Sequence, residues 1–143
     1  MGDRRRDGHT EKCFEQQADA TINQANPASG TKYTVLDTTK RCRIISIAVK
    51  CTWTVQPTPL EVHITIDGQP FRFSFNNPLT DTFYYALINA QLAPTALLLT
   101  EHPTDYTIYR AFLFEGRSVK VEAEITGGTV SNLAARVKYA VIP

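Results

Sequence analysis

The chain has 143 residues, enough for one domain of ordinary size and too few for two. It is 43% hydrophobic and 20% charged, so it can fill a core, and wholesale disorder is excluded. With 15 Lys+Arg against 14 Asp+Glu the formal charge is +1, which excludes a globally basic nucleic-acid coat and a strongly acidic solvating protein.

Residues 1–31 read differently from the rest. Arg4, Arg5, Arg6 and Lys12 stand against Asp3, Asp7, Glu11, Glu15 and Asp19, and apolar residues are sparse, chiefly Phe14, Ile22 and a few alanines. Glu11 to Ala20 offers at best a thin helical face, and Asn23 to Gly30 reads as a linker. The stretch is expected to be an extended arm, ordered where a partner holds it, with its own domain following over residues 32–143. No apolar run follows the three arginines, so the amino terminus does not read as a secretory signal. The longest apolar candidate for a membrane span, Thr95 to Thr100, is far short of the ~20 residues required.

From Lys32 onward the period is two. Ile45, Ile47, Val49, Cys51, Trp53 and Val55 are apolar at every odd position, while Ser46, Lys50, Thr52 and Thr54 between them are polar, which predicts a half-buried strand with Trp53 pointing into the core. Leu60, Val62, Ile64 and Ile66 repeat the pattern, with Glu61, His63 and Thr65 on the other face. Asp67-Gly68 turns the chain, and Phe71, Phe73 and Phe75 form the return strand. Pro70 lacks a backbone donor, so this turn is expected to be longer than two residues or the strand to start after it. Thr82 to Asn89 and Ala96 to Thr100 are apolar without clean alternation, either two-sided strands or loops. Tyr106 to Phe114 is apolar on both faces apart from Arg110 and reads as a central or interface strand. Val119, Val121, Ala123 and Ile125 alternate with Lys120, Glu122 and Glu124; Gly127 and Gly128 make a turn; Leu133 to Val141 forms a last strand pinned in a sheet. With 18 Thr, 10 Ile and 9 Val the strand bias is strong. About eight short strands without alternating helices imply an all-β fold, an antiparallel, jelly-roll-like β-sandwich with an extended N-terminal arm. The Cys…Trp…Cys spacing of immunoglobulin domains is absent.

No residue cluster declares a chemistry. His9, His63 and His102 are isolated, and there is no Gly-x-Ser-x-Gly elbow, His-Glu-x-x-His pair or phosphate-binding glycine loop. A triad from His102 and Asp105 is a combination any chain of this size offers. Asp67 resembles a calcium-loop fragment only at its first position, because Gln69 and Phe71 follow where acids are needed. The expectation is a protein without catalytic residues, metal or cofactor. Cys13, Cys42 and Cys51 are odd in number and widely spaced, and are expected to be free thiols. Binding features are richer. Tyr84 and Tyr85 beside Asn76 and Asn77 are placed to stack on and hydrogen-bond a sugar, a lectin-like alternative to filling a core or subunit interface.

Lys32-Tyr33-Thr34-Val35-Leu36-Asp37, then Arg43 to Val49, then Leu60 to Ile66 ending in Asp67-Gly68, resembles a pattern in small structural proteins of tailed bacteriophages. The likeness covers about a quarter of the chain and consists of strand and turn features. It implies a sandwich module that decorates heads or builds tails, assembled in the host cytoplasm and carried in the virion. Its partners would be copies of itself and other virion proteins, with no membrane and no nucleic acid. Arg4, Arg5, Arg6, Ile22, Tyr84, Tyr85, Leu98 and Tyr109 are the residues expected at such interfaces.

Overall fold

A computed structural model describes residues 16–55, 60–75, 83–88, 106–109 and 114–143. These residues form ten strands: β1 (Gln16–Ala25), β2 (Lys32–Thr38), β3 (Cys42–Val55), β4 (Leu60–Ile66), β5 (Gln69–Phe75), β6 (Phe83–Ile88), β7 (Tyr106–Tyr109), β8 (Phe114–Gly116), β9 (Val119–Ile125) and β10 (Thr129–Val141).

One sheet has the order β1-β10-β3-β6-β7, with β8 also paired to β3, and the other has the order β2-β9-β4-β5. The framework is therefore β1-β10-β3-β6 packed on β2-β9-β4-β5, with β7 and β8 as additions to the first sheet. Along these eight framework strands the chain changes sheet at every connection except the β4–β5 hairpin. That is the jelly roll, two Greek keys folded into a sandwich. Framework pairings are all antiparallel, while β6 and β7 run parallel.

The core lies between the sheets. Ile47, Val49 and Cys51 of β3 and Leu133, Ala135 and Val137 of β10 face Leu60, Val62 and Ile64 of β4 and Val119, Val121, Ala123 and Ile125 of β9, all buried. The alternation expected for β9 holds residue for residue, and that for β4 holds through Ile64, with Ile66 partly buried against the core. Each fully buried Val, Leu or Ile there contributes about 1.5–3 kcal/mol. Cys42 and Cys51 are free and buried, while Cys13 and the side chain of Trp53 lie outside what is described.

The structure departs from the sequence reading in five places. The first is the arm. Residues 16–25 form β1, paired with β10 of the same chain from Gln16↔Val141 to Ala25↔Asn132. Ala20 and Ile22 pack against the chain's own core, and an Arg136–Asp19 ion pair of 2.6 Å and an Asn132–Asn23 hydrogen bond of 2.7 Å join the two strands. The boundary expected at residue 31 thus cuts off the first strand of the fold. Residues 1–15 lie outside the described part.

The second is the phase of β3. Lys138 pairs with Ser46 and Tyr139 with Ile44, so Ile45 is an extra residue, a β-bulge. Cys42 and Ile44 are buried on one side of it and Ile47, Val49 and Cys51 on the other, while Ile45 is half-exposed. Third, the Asp67-Gly68 turn is a two-residue one after all. Ile66 pairs with Gln69 and Pro70 with Thr65, and both turn residues have positive φ, 50° and 82°, as a hairpin twist requires. Pro70 is tolerated because β5 ends its sheet and the pair next to the turn-closing one is not hydrogen-bonded, so its nitrogen points away from β4.

Fourth, Tyr106 to Phe114 is not one central strand. β7 ends the order of the larger sheet and β8 pairs separately with β3. Fifth, of the three phenylalanines of β5 only Phe75 is fully buried. Phe73 is half-buried and Phe71 is 41% exposed, and both meet the Phe114 ring edge-on, at 5.4 Å for Phe71 and 6.0 Å for Phe73.

Candidate functional site

The outer face of the β2-β9-β4-β5 sheet carries the polar halves of its alternating strands. Register decides what meets. Glu61 of β4 stands opposite Glu124 of β9 and Ser74 of β5, and His63 stands opposite Glu122 and Arg72. Two like charges directly opposed across a strand pair are unfavourable. Here the imidazole of His63 lies between them.

His63 Nε2 is 2.8 Å from Glu124 Oε1 and 3.4 Å from Glu61 Oε1. The three side chains are only 14–16% exposed, low for the outer face of a sheet. The second oxygen of Glu61 is turned elsewhere: it accepts from Ser74 Oγ at 3.4 Å and lies 3.8 Å from Arg72 Nη1. Glu122 is held by Lys120 at 3.6 Å. One nitrogen and two carboxylate oxygens therefore converge on one point. Among the described residues this is the only group of three or more His, Cys, Asp or Glu with the spacing to hold a metal ion.

The expected interface and glycan-binding residues are not gathered there. Ile22 lies on β1 and packs on the core. Tyr84 and Tyr85 occupy β6 opposite Cys51 and Lys50, and Tyr109 lies on β7 opposite Ile88, but their side chains are not described. Arg4, Arg5, Arg6, Asn76, Asn77 and Leu98 fall outside the described residues, as do His9, His102 and Asp105.

Asp67, considered above as a calcium-loop fragment, has a different role. Its Oδ1 accepts the backbone N–H of Arg117 at 2.8 Å and of Ser118 at 2.9 Å, and its own N–H donates to Ser118 O at 2.9 Å. It locks the β4–β5 turn to the β8–β9 turn.

The convergence of Glu61, His63 and Glu124 is not announced by any local motif, since His63 and Glu124 are 61 positions apart. The available signal was the pair of alternating strands with His63 on one polar face and Glu122 and Glu124 on the other. No protein-family model and no curated protein matches the chain, so its fold and these side chains carry the functional reading.

Proposed function

We propose that the chain is a non-enzymatic structural protein of a virion, a jelly-roll subunit that assembles with copies of itself and with other virion proteins. The observation that carries this reading is the strand order, β1-β10-β3-β6 over β2-β9-β4-β5. The same two-Greek-key sandwich serves viral capsid subunits. The likeness of the β2, β3 and β4 segments to structural proteins of tailed bacteriophages agrees with it and suggests a head or tail component. An edge strand gives the subunit a means to associate. Among the described residues β1 ends its sheet, with one row of backbone groups not used by β10, and Phe71 of β5 adds exposed apolar surface.

The test is the mass of the purified chain by light scattering across micromolar concentrations, with negative-stain microscopy of the heaviest fraction. A defined oligomer or regular particle is expected. A monomer at every concentration overturns the reading, and a glycan-array signal removed by Tyr84→Ala and Tyr85→Ala replaces it with the lectin one.

A further inference from the structure

We propose that Glu61, His63 and Glu124 form a binding site for a divalent first-row transition-metal cation, of the zinc type, on the outer face of the β2-β9-β4-β5 sheet. Three features of the geometry point to it. The first is the spacing of the donor atoms. Metal–ligand bonds of about 2.0–2.2 Å separate two ligand atoms by about 2.9 Å at right angles and about 3.4 Å at the tetrahedral angle. The two separations from His63 Nε2, 2.8 and 3.4 Å, fall at these values.

The second is proton count. An imidazole carries at most one proton at Nε2, and two carboxylates approach that one atom. A cation whose ligands are the Nε2 lone pair and one oxygen from each carboxylate satisfies all three at once. It also removes the repulsion between Glu61 and Glu124, which face each other directly in register.

The third is the support behind the ligands. Glu61 divides its oxygens, Oε1 toward His63 and Oε2 toward Ser74 and Arg72, as carboxylate ligands held by outer partners do. All three ligands stand on paired β-strands, which fix their spacing better than loops would. An imidazole with two carboxylates suits zinc, cobalt, nickel or copper, whereas calcium and magnesium favour oxygen-only shells. Three protein ligands on an open sheet face leave the remaining positions to water.

The experiment is calorimetric titration of the full-length chain with zinc after chelator treatment, with cobalt absorption as a second readout. His9 and Cys13 are four positions apart and are potential rival ligands, so the titration is repeated in a His9→Ala/Cys13→Ser background. One equivalent of zinc is expected to bind in both backgrounds. His63→Gln, Glu61→Gln and Glu124→Gln should each weaken binding more than about tenfold, and Ser74→Ala by about tenfold, in line with losses of outer-shell support. Circular dichroism identifies any variant that fails to fold, and cobalt-induced broadening of the His63 ring proton resonances in the unmutated chain supplies evidence independent of the variants. Binding unchanged by the three substitutions, binding lost only with His9 and Cys13, or association seen only at millimolar zinc each overturns the site and leaves a hydrogen-bonded His–carboxylate cluster.

Discussion

At φ 50° Asp67 stands in the left-handed region, which Asp enters more readily than most residues, and from there its carboxylate reaches the next turn. Removing it leaves the N–H groups of Arg117 and Ser118 without their acceptor. Asp67→Ala should destabilise the fold by about 1–3 kcal/mol, read from the urea midpoint at unchanged slope, and Asp67→Asn, which keeps the acceptor oxygen, should lose less. Gly116 is fixed by the same contact. An ideal Cβ there would lie 2.5 Å from Ile66 Cγ2 and 2.9 Å from Asp67 Oδ2, so Gly116→Ala must push the two turns apart and should lower the melting temperature. Cys51 makes a pH prediction. Burial raises its pKa from 9.0 to about 12, so between those values the unfolded chain releases a proton that the folded chain retains. Its contribution to stability is complete below pH 9 and declines as the pH rises toward about 12, at most about 1.4 kcal/mol per pH unit. Unfolding free energies measured across pH 8–11 should therefore fall more steeply for the natural chain than for Cys51→Ala; equal slopes would refute it.

β3 and β10 show how an element corrects its own pattern. Ile45, Ile47 and Val49 read as one continuous face, yet the bulge at Ile45 changes the phase and puts Ile44 and Cys42 into the core. A bulge adds one residue and moves every later side chain to the other face. Because Ile44 already pairs with Tyr139 and Ser46 with Lys138, deleting Ile45 should restore regular pairing with Ile44 and Cys42 still facing the core. It should therefore cost far less than Ile44→Ala, which forfeits a large buried aliphatic side chain at about 2–5 kcal/mol; denaturant unfolding of the two variants checks this. β2 uses the same device: the register shift between Thr34 and Leu36 lets the adjacent Val35 and Leu36 both be buried. Sequence shows strand existence well where large apolar residues alternate, as in β4 and β9. It shows β1 poorly, because its inward positions Ala18, Ala20 and Ile22 are mostly alanine, and an edge strand half-covered by the core needs no more. The candidate metal site was half legible. The outward face of Glu61 and His63 followed from alternation, but their meeting with Glu124 depends on register between strands some sixty residues apart, which no local pattern encodes.

At the scale of the whole molecule, the two ends of the chain close the larger sheet. β1 pairs with β10, and β10 lies between β1 and β3, so the last strand completes the sandwich and the first caps its edge. The two termini should then differ sharply in what their loss costs. Removing residues 1–25 takes away an edge strand whose apolar contribution is the partial burial of Ala20 and Ile22, together with the Asp19–Arg136 and Asn23–Asn132 contacts. The remaining strands still enclose a core, so this truncation should fold, melting roughly 3–5 °C lower for every kcal/mol lost, and should associate more readily through the β10 edge it exposes. Removing residues 129–143 takes away a central strand with Val130, Leu133, Ala135 and Val137, all buried, and leaves β1 with no partner and β3 with one side open. That truncation should show no cooperative thermal transition and no near-ultraviolet circular dichroism. Melting curves of the two truncations beside the intact chain decide the matter: a cooperative transition in the second, or none in the first, would contradict the roles of edge and centre that the strand order assigns.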